Sequence, residues 1–142
     1  MKKLVLLAVL LIVTGCGKKS PTIDELTCTK TFSDAISSVV YENKYTYEDG
    51  VLNAVTMDTS LKFTSDGIDY LDTFKTYAEA TNNEYNKKDG VKSALTTTDT
   101  TINLKVDYTI SKMTDTEVEN NNFKNELNSF REKLEKDGYT CK

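Results

Sequence analysis

Residues 39–63 read VVYENKYTYEDGVLNAVTMDTSLKF, and the fold prediction starts from them. Apolar and polar residues alternate on both sides of Asp49-Gly50, and a period of two is typical of a strand with one buried face. An Asp-Gly pair between two such runs is a strong signal for a hairpin turn. We therefore predict an antiparallel hairpin whose apolar positions share one face of a sheet. Those positions are Val39, Tyr41, Tyr45, Tyr47, Val51, Val55, Met57, Leu61 and Phe63.

Further strands and a helix are expected around the hairpin. Residues 26–32 precede it as a short strand, and residues 91–95 and 102–110 follow it as a weak and a clear strand. Between them, residues 68–85 carry apolar side chains at helical spacing, with Asp66 in the N-cap position. The apolar face expected for this helix consists of Ile68, Leu71, Phe74, Ala78 and Tyr85.

A second helix is expected near the C-terminus. Thr114 and Glu117 have the spacing of a capping box, which marks a helix start. The helix would falter at residues 120–122, three asparagines in a row. Apolar side chains then continue at helical steps, and Gly138 is a plausible stop. Residues 139–141 would follow as a short extended tail, with a last short strand left open.

The predicted strands each have an apolar and a polar face, and this pattern indicates the fold class. Strands with one apolar and one polar face favour an antiparallel sheet with helices on one side, because parallel strands are usually apolar on both faces. We predict an α+β fold with an antiparallel sheet of about five strands, in the order β-β-β-α-β-β-α, covered on one face by two helices. The polar face left uncovered would carry Glu42, Lys44, Thr46, Asp58, Ser60, Lys62, Asn103, Lys105, Asp107 and Thr109.

The N-terminus has the pattern of a secretory signal. Met1-Lys2-Lys3 is basic, residues 4–13 are an uninterrupted apolar run, and Thr14 and Gly15 are small residues before Cys16. The apolar run is too short for a transmembrane helix, which needs about 20 residues. This end resembles a bacterial lipoprotein signal with its lipobox. The resemblance implies that Cys16 is diacylglycerated and becomes the first residue of the mature protein; the alternative is an ordinary signal peptide in which Cys16 has no role.

These features divide the chain into three parts. We expect a lipoprotein signal peptide at residues 1–15, a lipidated Cys16 with a flexible tether at residues 16–25, and a single α+β domain at residues 26–142. Two acyl chains are enough for stable anchoring. The expected location is therefore the cell membrane, lipid-anchored, with the domain on the extracytoplasmic face.

Cys28 and Cys141 lie near the two ends of the predicted domain, and an exported protein permits their oxidation. We predict a disulfide between them. A loop of about 110 residues corresponds to about 4.7 kcal/mol of stabilisation in the chain-entropy account, less any strain. The alternative is two independent thiols.

Composition argues against several function classes. The chain has no histidine, which excludes Ser-His-Asp, Cys-His and histidine-zinc machinery. It has no glycine-rich phosphate loop. The net charge of −4 becomes −6 without Lys2 and Lys3, which argues against nucleic acid as a partner. We expect no cofactor and no metal. Chemistry based on two carboxylates stays open, although the acids that lie closest in sequence fall at expected helix starts: Asp66, Asp69, Asp72, Asp115, Glu117 and Glu119.

The region after the signal resembles the YehR-like small bacterial lipoproteins of uncharacterised function. The segments that carry the resemblance are residues 27–30 (TCTK), 45–51 (YTYEDGV), Tyr85 followed by Gly90-Val91, the strand at 102–110 and the ending at 138–142 (GYTCK). It implies an α+β lipoprotein domain and brings no catalytic residues. We expect a membrane-anchored, non-enzymatic binding or accessory module with an envelope protein as partner. The alternatives are a carboxylate-dependent hydrolase and a carrier of a small hydrophobic ligand.

Overall fold

A computed structural model describes residues 20–142, so the predicted signal peptide and Cys16 lie outside the described residues. The fold is α+β, as the sequence predicts. The sheet has six strands rather than about five, and there are three helices rather than two. The strands are β1 (Ile23–Ser33), β2 (Ser37–Glu48), β3 (Val51–Phe63), β4 (Val91–Thr97), β5 (Thr101–Thr109) and β6 (Thr140–Cys141). The helices are α1 (Leu71–Tyr85), α2 (Asp115–Asn120) and α3 (Leu127–Lys136).

All neighbouring strands are antiparallel, in the order β4-β5-β3-β2-β1-β6. The predicted hairpin is the β2–β3 pair. Its turn residues Asp49 and Gly50 have φ angles of 50° and 82°, and two positive φ angles are what a type I′ hairpin turn requires. Strand β6 is the short strand that the sequence left open, and it pairs with β1.

A β-bulge changes the faces at the end of the hairpin. The register shifts between Thr46 and Tyr47, so that Tyr47 pairs with Leu52. Leu52 is therefore buried, whereas Val51 is 57% exposed. The sequence prediction for Val51 was wrong because strict alternation does not anticipate the extra residue of a bulge.

The helices cover the two sides of one sheet face. Helix α1 packs on β4 and β5, and α3 packs on β6 and β1. The main core lies under α3 and the segment before it, and a smaller one lies under α1. The main core consists of Leu26, Cys28, Tyr45, Tyr47, Leu52, Val55, Val91, Val106, Tyr108, Phe123, Phe130 and Leu134. The smaller core consists of Phe63, Leu71 and Ile102.

Two predicted element boundaries differ from the structure. Strand β1 begins at Ile23, so the last three residues of the tether expected at 16–25 belong to the sheet. Asp66 does not cap α1, which is preceded by a 3₁₀ turn (Ile68–Tyr70). Gly67 starts that turn against the β1–β2 connection, where any side chain would overlap the carbonyl oxygen of Ile36. This close approach, rather than a carboxylate cap, positions the helix start.

The C-terminal helix signals are confirmed. Thr114 and Glu117 form a reciprocal capping box at the start of α2. The chain leaves α2 through Asn122, which has a φ of 55°, and Gly138 follows α3 with a φ of 87°. Within residues 20–142, no helix has the length and apolar character needed to span a membrane.

Candidate functional site

The predicted disulfide is present in the structure. Cys28 and Cys141 face each other across β1 and β6, with an S–S distance of 2.02 Å and Cα atoms 4.1 Å apart. Beside them, Thr27 and Lys142 exchange two backbone hydrogen bonds of 3.0 and 2.9 Å. Cys28 is fully buried in the main core. The bridge therefore fastens the C-terminal strand to the sheet, and its burial makes it a structural bond.

Two of the three tyrosines expected in the core are buried there. Tyr45 and Tyr47 are 2% and 0% exposed, whereas Tyr41 is half-buried. Burial raises the pKa of Tyr45 to about 12 and also raises that of Tyr47. The Tyr47 hydroxyl donates a hydrogen bond to the carbonyl oxygen of Lys124 at 3.2 Å. Both side chains therefore pack the core rather than form a platform for sugars or peptides.

The two acidic sets do not converge on one another. Glu117 belongs to the capping box, and the backbone N–H of Thr114 lowers the pKa of its carboxyl group. Asp66, Asp69 and Asp72 lie along the start of α1 without a capping hydrogen bond. Among residues 20–142, no group of three or more acidic, cysteine or histidine side chains is arranged to hold a metal ion.

The expected polar face is one continuous surface of the sheet. The strand register aligns Glu42, Asp58 and Lys105 in one row, and Lys44, Thr56 and Asp107 in the next. Two ion pairs lie on this face. Lys44 on β2 pairs with Glu25 on β1 at 2.7 Å, and Lys105 pairs with Asp107 on the same strand, β5, at 3.7 Å. These side chains are about half exposed, and such pairs contribute little to stability. Charges of both signs are mixed on this face, although Glu42 and Asp58 are neighbours, so it offers no extended single-sign surface to a partner.

A different surface emerges on the helix side, at the end of the sheet away from the Asp49-Gly50 turn. Phe32, Val39 and Leu61 form one row across β1, β2 and β3. This row lies between α1 and α3, and Val39 and Leu61 are only half-buried. Phe32 is 53% exposed at one side, and at the other side Phe74 is 44% exposed against Phe63. We call this surface the distal apolar groove; it consists of Phe32, Val39, Leu61 and Phe74, together with the exposed Ile68, Tyr70 and Tyr77 of the segment that carries Phe74.

Aspartates surround the distal apolar groove. Asp34 lines a depression of about 240 Å³ together with Phe32 and Val39. Its carboxylate accepts hydrogen bonds from the backbone of Ser37 and Ile36, which lowers its pKa. On the α1 side, residues 66–72 add three exposed aspartates. The groove therefore combines apolar walls with an aspartate rim, and the Lys30 ammonium group lies 4.7 Å from the centroid of the Phe32 ring.

The sequence prediction missed this groove. It placed Ile68 and Phe74 on the buried face of the first helix, but they are 37% and 44% exposed. Tyr70 and Tyr77, 52% and 68% exposed, were not singled out. The number of apolar residues could have indicated the groove, because residues 68–78 contain more large apolar side chains than one helical face can bury.

The expected lipid-attachment residue, Cys16, lies outside the described residues. Other surface depressions of residues 20–142 are open to solvent. One adjoins the hairpin turn at Asp49 and Val51, another lies along α1 beside Tyr85, and a third of about 600 Å³ lies at the start of α3. The depression at the hairpin turn contains two carboxylates, but both accept structural hydrogen bonds: Glu48 from the Asn53 amide and Asp49 from the Thr22 backbone. The distal apolar groove is therefore the candidate functional site.

No family model and no curated protein matches this chain. A solved NMR structure of a protein from Streptococcus pneumoniae TIGR4 is similar to it, with a TM-score of 0.56 over 100% of this chain and 97% of the other. The sequence identity is 16%, so the likeness is one of fold alone.

Proposed function

We propose that this chain is an extracytoplasmic lipoprotein, anchored through a lipid on Cys16, whose domain is a non-enzymatic binding module of the cell envelope. The observation that carries the anchoring is the basic, apolar and small-residue series that ends at Cys16. The buried Cys28–Cys141 bridge supports export, because disulfides persist in oxidising compartments.

The distal apolar groove supports the binding role. Contiguous exposed apolar surface on a soluble domain commonly marks an interaction site. Four of its large side chains are between 44% and 68% exposed, and leaving apolar surface in water is unfavourable in free energy. The groove's aspartate rim is complementary to positive charge. The partner is therefore an envelope protein segment that presents apolar side chains flanked by lysine or arginine.

The anchoring is tested by replacing the acceptor sulfur. Cys16→Ser should move the protein from the membrane fraction to the soluble extracytoplasmic fraction and remove the lipid mass from the intact protein. Ser20→Ala, which lies beyond the lipobox, is the matched control and should behave as the wild type. Unchanged membrane retention of the Cys16→Ser protein would refute the lipid anchor.

The binding role is tested by in-cell photocrosslinking. A photoreactive residue at Tyr77 in the groove should capture a partner, whereas one at Asn103 on the polar sheet face should not. The captured peptide should contain basic and apolar residues, and neutralising the rim with D66N, D69N and D72N should reduce capture. Capture from Asn103 instead, or capture unaffected by rim neutralisation, would contradict this assignment.

A carrier of a small hydrophobic ligand is the second candidate, favoured by the same apolar walls. A fluorescent fatty acid distinguishes the two. Saturable binding that F74A abolishes would support the carrier, and no binding would leave the protein partner as the occupant. A carboxylate-dependent hydrolase is the third alternative, and no surface described above favours it.

A further inference from the structure

The chain enters the domain at the hairpin turn. The backbone N–H of Thr22 donates to Oδ1 of Asp49 at 2.9 Å, and the backbone N–H of Asp49 donates to the carbonyl oxygen of Thr22 at 2.9 Å. These two reciprocal hydrogen bonds hold the N-terminal segment against the β2–β3 turn. Strand β1 begins at the next residue, Ile23, and runs from the turn toward the other end of the sheet.

The segment between Cys16 and this clamp is short. Five residues lie between Cys16 and Thr22, and the six steps of the chain from one to the other span about 21 Å when fully extended. By contrast, the 13 residues of β3 make the sheet roughly 40 Å long from the turn to its other end. If Cys16 carries the lipid, the hairpin turn is thus the part of the domain that the tether holds nearest to the bilayer.

The surface around the turn carries exposed apolar side chains. Ile23 and Val51 are 52% and 57% exposed. They lie on either side of Glu48 in the strand register, and all three therefore share one sheet face. The β-bulge removes Val51 from the core, as described above. Two aliphatic side chains beside the tether are suited to shallow contact with the lipid interface.

Charged side chains accompany the two aliphatic ones at this end. Asp24, Glu48 and Asp49 are all exposed or half-exposed acids. Oδ1 of Asp49 is engaged by Thr22, and a carboxylate oxygen of Glu48 accepts a hydrogen bond from the Asn53 amide at 2.9 Å. The tether between Cys16 and Thr22 contains Lys18 and Lys19, so the charges next to the anchor have both signs.

We infer that the hairpin end is a membrane-facing surface, with Ile23 and Val51 in contact with the headgroup region of the bilayer that holds the Cys16 lipid. This inference rests on the proposed lipid anchor. It directs the distal apolar groove away from the membrane, at the far end of the sheet, where a partner in the envelope can reach it.

The chain has no tryptophan, so one substitution introduces a single fluorescent probe. The full chain carrying Val51→Trp is expressed in a lipoprotein-processing host, purified with its lipid and reconstituted in phosphatidylcholine vesicles with a headgroup-linked nitroxide quencher. Tyr77→Trp, in the distal groove, is the matched control. Val51→Trp should be quenched several-fold more than Tyr77→Trp, and Ile23→Trp should behave like Val51→Trp.

Intact mass separates the two proposals. A lipidated protein with equal or reversed quenching at positions 51 and 77 would overturn the membrane-facing surface and leave the lipid anchor standing. An unlipidated product would overturn the anchor and the orientation together. Because Val51 and Ile23 are more than half exposed, tryptophan at either position should leave the fold intact, which circular dichroism verifies.

Discussion

The Phe130 ring meets the Tyr45 ring edge to face, with ring centroids 4.8 Å apart and an interplanar angle of 88°. This contact joins α3 to the centre of the hairpin, since Tyr45 lies on β2 and both side chains are almost completely buried. Edge-to-face aromatic pairs add to the stability gained from burial alone. The attachment of α3 to the sheet therefore includes this aromatic pair as well as the disulfide that follows the helix.

Replacing Phe130 by alanine should reduce the free energy of unfolding by about 3–5 kcal/mol, because the large buried ring leaves a cavity beside Tyr45. Chemical denaturation monitored by tyrosine fluorescence or circular dichroism measures the change. Phe74→Ala is the control: the same atoms are removed from a side chain that is 44% exposed, and the loss should be much smaller. Equal losses at the two positions would contradict the core described here.

Breaking the Cys28–Cys141 bridge with Cys141→Ser should lower the free energy of unfolding by about 2–5 kcal/mol. The bridge closes 113 residues of sequence, and without it β6 keeps only its short pairing with β1 and its contact with α3. Denaturation midpoints in non-reducing buffer measure the loss. Adding reductant should lower the wild-type midpoint and leave the variant unchanged. A wild-type protein insensitive to reductant would show that the thiols are not paired.

Removing the cap of α2 with Thr114→Ala should destabilise the fold by about 0.5–2 kcal/mol. The Thr114 hydroxyl accepts a hydrogen bond from the Glu117 N–H at 3.3 Å, and this donor loses its partner in the variant. Thr116→Ala makes the same chemical change two residues later, at an exposed position within α2, and should alter stability little. Thermal unfolding of the two variants compares them directly, and similar melting temperatures would argue against the capping role.

The Glu117 carboxylate should make part of the stability pH-dependent. The Thr114 backbone N–H donates to it at 2.9 Å and lowers its pKa in the folded state below that of the unfolded chain. A lowered folded pKa stabilises the protein above the unfolded value and loses this effect as pH falls through the folded value. Stability should therefore decline in the acidic range, and Glu117→Gln should flatten part of that decline. Parallel pH profiles for the two proteins would refute this contribution.

The sequence anticipated the hairpin, the capping box and the cysteine pair because each depends on local chemistry or on few partners. Asp49-Gly50 supplies the positive φ angles of the turn by itself, and Thr114 and Glu117 satisfy each other's backbone donors. By contrast, the burial of Leu52 in place of Val51 follows from a bulge, which the alternating pattern does not reveal.

The groove was missed for a related reason. Helical spacing identifies an apolar face but not how much of it the sheet covers. Helix α1 lies over β4 and β5, so Leu71 is buried while Phe74 sits at the side of the contact. The position of a helix across a sheet depends on long-range packing, here including the close approach of Gly67 to Ile36.

Strand β6 has a further consequence at the border of the sheet. It is only two residues long, and it pairs with Cys28 and Thr29 midway along the 11-residue β1. An unpaired border strand is a template on which a second polypeptide can add and start aggregation. Strand β6 divides the outer side of β1 into two shorter unpaired stretches, and the disulfide keeps β6 from being displaced. Strand β6 thus shortens each stretch of the β1 border on which a second polypeptide could add.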